Sequence, residues 1–351
     1  MSNRRNTNIE LLRILSMMMI IAGHFAGQGG LLDTSEKTIS RLVICVFGSG
    51  QRIAINLFLI ISVWFLVDQE FKAIRIIKIW LEVLFYTVLI TVIVQVFIEP
   101  VSIKDFIQAF MPFLGRPLWF ASAYIALLLL SPFLKKVTEL PPKQHGSLVI
   151  VLGIITCVLP TIATEMDNYL CAVIWFCFVY ILVGYYKHYV HPTKINAYLC
   201  LAVGIALYIG MSSFTALNFD SKILVRAQLI CSRFLHDFKT IPNVFISFCV
   251  FFGFINMKPR YSKFVNELAA GSFAVYIIHQ TPVFYPILWR TLINSGLFDG
   301  KKLAFSFLIA VPMIYLLFST IDEIRRKKIE PRILKTKIIY KISKSIQSLY
   351  Y

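Results

Sequence analysis

Acidic residues are scarce: 18 Asp and Glu stand against 35 Lys and Arg in 351 residues, a formal net charge of +17. Charged residues of both signs make up only 15%, where a soluble domain carries roughly 25%. With 58% hydrophobic residues and a mean hydropathy of +0.74, the composition excludes an ordinary soluble protein. It indicates an integral membrane protein. The basic excess sits in short clusters between apolar runs, so no nucleic-acid partner is expected. None of the seven cysteines forms a C-x-x-C pair, and most fall inside apolar runs. They read as small packing residues, neither a disulfide framework nor a zinc site. G-x-S-x-G, the P-loop, G-x-G-x-x-G and a D-x-D pair are all missing, which removes the common soluble-enzyme signatures. His188 and His191 (HYVH) have no carboxylate or cysteine beside them, so no metal site is expected. No repeat of 20–50 residues stands out.

What the chain has in plenty is apolar runs of membrane length, roughly 17–25 residues each. They predict an all-α integral membrane protein, a bundle of about ten transmembrane helices at 9–27, 50–67, 76–98, 117–134, 147–164, 168–187, 195–214, 240–257, 268–287 and 302–320. The apolar N-terminal run is interrupted by Glu10 and Arg13 and followed by many spans, so it reads as a retained helix and not a signal peptide. With the N-terminus in the cytoplasm, 23 of the Lys and Arg fall inside and 12 outside. This favours both termini cytoplasmic, although nine of the inner set lie in the tail between Arg325 and Lys344. The expected division is a membrane domain over 1–322 and a basic amphipathic tail over 323–351. In that tail Leu334, Ile338, Ile342, Ile346 and Leu349 recur at helical spacing among lysines, as in a helix lying on anionic inner-leaflet lipid. No long extramembrane segment is left for a second catalytic domain.

The first helix, NIELLRILSMMMIIAGHF over Asn8–Phe25, carries Glu10, Arg13 and His24. Each ionisable group in hydrocarbon costs at least a few kcal/mol. Eleven residues at about 100° each bring Arg13 and His24 to one face, about 16 Å apart along the axis. Glu10 lies one turn below Arg13 and is placed to pair with it. On this helix alone, a buried arginine held by Glu10 and a histidine bonding a neighbouring helix would account for the pattern equally well.

Other polar residues at membrane depth are few. Arg75, Lys78 and Glu82 open the third span, where Lys78 and Glu82 are spaced to pair at i,i+4. Snorkelling at the interface is the competing reading. Ser62 and Asn56 lie in the second span, and Arg116, Pro117, Trp119 and Tyr124 at the outer start of the fourth. His279 and Gln280 follow SFAVYII in the ninth. His145 and His236 are expected in solvent-facing loops.

Taken together, IELLRILSMMMIIAGH, with an arginine, ten intervening residues and a histidine, resembles the opening of the acyltransferase 3 family of bacterial membrane acyltransferases. NLFLIISVWFL, RIIK, PLWFASAYIALLLLSP and SFAVYIIHQ resemble further family segments in the family's order, over roughly residues 8–320. Val63 stands where the family usually has glycine and Lys78 where it has a second arginine. The lysine offers a point charge in place of a planar fork. The family's carboxyl-terminal hydrolase-like domain, carried by some members, is not expected here.

The resemblance implies transfer of an acyl group, usually acetyl, from cytoplasmic acyl-CoA to a hydroxyl of a cell-surface polysaccharide or glycolipid, in the bacterial cytoplasmic membrane. No tightly bound cofactor is implied; acyl-CoA, usually acetyl-CoA, is a co-substrate. On this reading Arg13, Arg75 and Lys78 would hold the coenzyme A phosphates. His24 would remove the hydroxyl proton. Glu10, Ser62, Trp119, Tyr124 and His279 would support the site or the acceptor, His279 as a second acid or an oxyanion partner. A common cavity for Arg13 and His24 is required. The alternatives are a transporter or flippase for lipid-linked glycans, for which no internal repeat of interrupted helices is seen, and a glycan polymerase, for which Ser213–Lys239 would be the basic outer loop.

Overall fold

The computed structural model describes residues 6–31, 38–111, 118–162, 172–190, 196–293 and 300–350. Arg116, Pro117 and His191 lie outside them. The described residues form helices without strands. In order these are α1 (Thr7–Gln28), α2 (Thr38–Gly48), α3 (Gln51–Leu66), α4 (Ala73–Phe97), α5 (Ile103–Phe110), α6 (Trp119–Thr138), α7 (Pro142–Gly153), α8 (Leu159–Ile162), α9 (Ala172–Tyr185) and α10 (Ala197–Ala216). They continue with α11 (Lys222–His236), α12 (Ile241–Asn256), α13 (Lys263–Ala269), α14 (Ser272–Gln280), α15 (Gly300–Ile324), α16 (Glu330–Leu334) and α17 (Lys337–Gln347). Local chemistry sets several starts. Asn6 caps α1 by accepting the Asn8 N–H, and Asn196 accepts two N–H groups at the head of α10. Pro142 opens α7 in the first turn, where its missing N–H costs nothing.

Among the described residues, eight helices are long and apolar enough to cross a membrane, or nine with α11 and α12 counted as one span bent by 56°. Nine of the ten expected spans are accounted for in this way. The remaining one, 268–287, is broken. α13 ends at Ala269, α14 runs only from Ser272 to Gln280, and a π turn follows over Ile287–Leu292. Gly271 and Pro282 interrupt the helix. Broken backbone at membrane depth is tolerated where it is enclosed by protein or lines a cavity.

Three further expectations change. The second span starts earlier, because α2 and α3 together run over Ile39–Leu66. Ser213–Lys239 is not a loop, because it contains α11. The last span continues without a break in helicity through a π turn to Leu334, past the expected boundary at 322/323. The tail is also held to the body. Gln347 bonds both Phe71 O and the Ala73 N–H, and the Tyr350 ring packs on Phe71 at 4.3 Å.

The core is organised around α1, which packs against α2, α3, α12, α13, α14 and α15. Of its most apolar window 67% of residues are buried, against 22% for α10. α10 instead turns Leu199, Ile205, Leu207 and Ile209 outward, as a lipid-facing helix does. The basic connections meet on one face. Asn8 bonds Lys258 O, Arg326 bonds Glu267 O, Lys135 pairs with Glu70 and Lys187 with Asp68. Both ends of the described chain lie on this face.

Candidate functional site: two cavities along the first helix

Because α1 is unbroken from Thr7 to Gln28, Arg13 and His24 keep the separation of about 16 Å that an ideal helix gives. They do not share one cavity. Arg13 lines a cavity of about 770 Å³ together with Glu10, Ser62, Glu82 and Tyr124. His24 lines another of about 380 Å³ with Gln28, Gln51, Arg52, Trp119, Tyr276 and Gln280. Phe58, Phe120 and Phe273 belong to the walls of both. In place of the expected single cavity, Arg13 and His24 line two adjoining ones whose shared wall includes three phenylalanines.

In the Arg13 cavity the guanidinium Nε is 3.2 Å from Glu10 Oε2, and its carbon lies 5.7 Å from the centre of the Phe58 ring. This orients the cation from both sides and leaves its outer N–H groups for an anion. Ser62 bonds back to Phe58 O at 2.8 Å, so its hydroxyl proton is taken, and the oxygen faces the cavity with the Tyr124 ring. Arg75 donates to Glu70 O at 3.3 Å. Neither Arg75 nor Lys78 is among the residues that line the Arg13 cavity. Lys78 is drawn to Glu330 at 3.3 Å. Glu82, expected to pair with Lys78, instead meets Arg325 at 3.2 Å. Arg325 is 6% exposed and also holds Asp322 at 2.7 Å and Glu330 at 3.1 Å. Tyr86 and Arg326 complete the bonding of the fully buried Asp322, at 2.9 and 2.8 Å. The long-range arginine wins over the local lysine because it is buried and binds three carboxylates at once.

At the His24 cavity, α1 and α14 are joined by two polar rungs. His24 Nδ1 is 3.0 Å from His279 Nε2, and Gln28 and Gln280 exchange amide bonds of 3.1 and 3.0 Å. His279 is fully buried, and its Nδ1 lies 2.5 Å from Val275 O in its own helix. A carbonyl only accepts, so His279 Nδ1 carries the hydrogen. Nε2 of the neutral ring is then an acceptor, and His24 Nδ1 must donate to it. The free lone pair of the pair is left on His24 Nε2, for which no described residue supplies a partner. His24 is half-buried, with the cavity before it. Trp119 forms a wall, its ring stacked on Phe238 at 5.8 Å. This is a local arrangement suited to taking a proton from a bound hydroxyl.

The other polar residues have structural work. Asn56 bridges Phe238 O (2.6 Å) and the Trp175 indole N–H (3.1 Å). His145 is not in a solvent-facing loop: it is fully buried in α7, 2.9 Å from Ile181 O. His236 is exposed at the end of α11. Sequence reasoning missed Gln28, Gln51 and Arg52. The spacing of His24 and Gln28, one helical turn, is the signal that was available for the first. Among the described residues, no group of three His, Cys, Asp or Glu could hold a metal ion.

No curated protein and no solved structure matches the chain. The sequence profile of the acyltransferase 3 family, an acyltransferase domain, does match, over residues 6–321. That interval begins one residue before α1 and closes near the end of α15, taking in both cavities and every span between. The chain belongs to the acyltransferase 3 family and is a multi-pass membrane acyltransferase.

Proposed function

We propose that the protein transfers an acyl group, acetyl in the first instance, from cytoplasmic acyl-CoA to a hydroxyl of a cell-surface glycan or glycolipid, with His24 as general base. The observation that carries this reading is the His24–His279 pair, whose only unpartnered lone pair among the described residues is His24 Nε2, beside a cavity. The Arg13 cavity is the donor side. Arg13 binds a phosphate of coenzyme A there, while Arg75 donates to Glu70 O and Lys78 serves Glu330. Because Arg13 and His24 line adjoining cavities and not one, transfer on this reading requires Phe58, Phe120 and Phe273 to part, so that the pantetheine arm, of the same order of length as the ~16 Å between Arg13 and His24, brings the thioester to His24.

In the reaction an acceptor hydroxyl gives its proton to His24 Nε2 as its oxygen attacks the thioester carbon. The carbon–sulfur bond then breaks, and the thiolate takes the proton back from the imidazolium to leave as the free thiol of coenzyme A. His279 holds His24 in the tautomer this requires. The basic face that contains both described ends is cytoplasmic, in a bacterial inner membrane. α17 rests on that leaflet, with Lys337, Lys341 and Lys344 towards lipid phosphates and Ile338 and Ile342 exposed towards the acyl chains. Two cavities back to back would also suit a flippase for lipid-linked glycans. Membership of an acyltransferase family and the paired imidazoles favour transfer chemistry.

The test is incubation of the purified protein in lipid nanodiscs with radiolabelled acetyl-CoA and envelope extract, followed by counting of alkali-labile ester. Label should appear with the intact protein and be lost with His24→Ala. A folded His24→Ala protein that transfers at full rate rejects the base. Normal ester content with lost glycan export in cells lacking the protein would favour the flippase.

A further inference from the structure

Besides the Arg13 cavity, a second cavity adjoins that of His24 and has no part in the mechanism above. It measures about 380 Å³, and Gly23, Gly27, Gln51 and Arg52 line both. Its remaining polar walls are Arg41, Ser49, Thr215, Ser232 and His236. The described lining thus holds two arginines and a histidine, and no carboxylate. Both cavities are within the size range of small-molecule sites, about 300–1,000 Å³.

The two arginines differ in a way that matters. Arg41 is fixed, donating to Asn218 Oδ1 at 3.0 Å and Thr215 O at 3.3 Å. Arg52, half-buried at the junction of the cavities, has no hydrogen bond or ion pair with a described residue. Asp237 is the one described acidic group whose charge reaches it, and that carboxylate takes the Lys239 N–H at 3.0 Å. A guanidinium presents five donors and matches carboxylate or phosphate oxygens two at a time. Held without an acceptor in an electropositive cavity, it is complementary to an anion.

The two glycines shared by the cavities differ in the space beside them. A Cβ on Gly23 would meet Gln51 Cβ at 2.4 Å, whereas one on Gly27 would meet nothing within 4 Å. Gly27, which lines both cavities, thus leaves open space where a side chain would stand.

Resting on the acyltransferase reading, we propose that the second cavity is a subsite for an anionic group on the acceptor, so that the acceptor is an acidic sugar carrying a carboxylate or a phosphate. The anion sits against Arg52 and Arg41, and the sugar ring extends through the gap at Gly27 to bring a hydroxyl to His24.

Equilibrium binding to the full chain in nanodiscs tests this, with methyl glucuronide, glucose 6-phosphate and methyl glucoside as probes and no acyl donor present. The intact protein should bind at least one anionic probe 10-fold or more tighter than methyl glucoside, and the better anion tells carboxylate from phosphate. In Arg52→Gln that preference should fall towards one. Arg52 has no bond to a described residue to lose, and an unchanged melting temperature separates the effect from misfolding. Gly27→Leu, which meets no described atom at its Cβ, should weaken binding of the anionic probe by closing the gap. Equal binding of charged and neutral probes, or a preference that survives Arg52→Gln, overturns the subsite. The same nanodiscs with radiolabelled acetyl-CoA probe the chemistry separately: anion-selective binding without acetyl transfer supports the subsite and removes the acetyl-CoA reading, and transfer without anion selectivity does the reverse.

Discussion

Replacing His279 tests the tautomer argument more sharply than replacing His24. In His279→Ala the His24 Nδ1–H loses an acceptor 3.0 Å away. One hydrogen bond contributes about 0.5–1.5 kcal/mol. At 1.36 kcal/mol per tenfold in rate, that alone slows the step by about 2- to 13-fold. The ring is also freed to rotate and to carry its hydrogen on Nε2, where it is no base. The combined loss should approach 10–100-fold, short of the roughly 10²–10⁴-fold that general-base catalysis supplies and that His24→Ala should remove. His279→Gln offers a carboxamide oxygen near the former Nε2 and should recover much of the rate. Acetyl transfer from labelled acetyl-CoA, measured under saturating donor, should therefore rank intact protein, His279→Gln, His279→Ala and His24→Ala in falling order. Full activity in a folded His279→Ala protein, or Gln performing no better than Ala, would refute the assigned proton positions.

Arg13→Ala should raise the KM for acyl-CoA at least 10-fold with a smaller change in kcat, because the lost contact is with the carrier and not the reacting carbon; steady-state kinetics would show the split. Arg325→Ala strands Glu82, Asp322 and Glu330 without their shared cation and should destabilise the fold by about 3–5 kcal/mol, seen as a large fall in melting temperature. Gly23→Ala should be poorly tolerated and Gly27→Ala well tolerated in the same thermal assay, since only the first collides with Gln51. Changing Lys337, Lys341 and Lys344 to Gln should weaken association with anionic lipid by about 1 kcal/mol per lysine, read by native mass spectrometry with phosphatidylglycerol.

The helical character, most spans and the shared face of Arg13 and His24 were legible because they depend on local periodicity within one helix. What brings His279 to His24 is packing between the first helix and a segment from the far end of the chain, and no spacing rule reaches that far. The same limit explains Glu82: its i,i+4 partner Lys78 is visible in the sequence, but Arg325 arrives from another helix and outcompetes it. His145 looked solvent-facing because its partner, Ile181 O, belongs to a different helix. The wall between the two cavities was hidden for a similar reason. Phe58, Phe120 and Phe273 are unremarkable among 30 phenylalanines until three helices bring them together.

Those three rings have an electrical meaning as well as a steric one. A continuous water-filled bore from Arg13 to His24 would short-circuit any membrane potential, at about 2.3 kcal/mol per elementary charge per 100 mV. Rings that part for a slender, uncharged chain yet close against hydrated ions would let an activated group cross while the bilayer stays insulating.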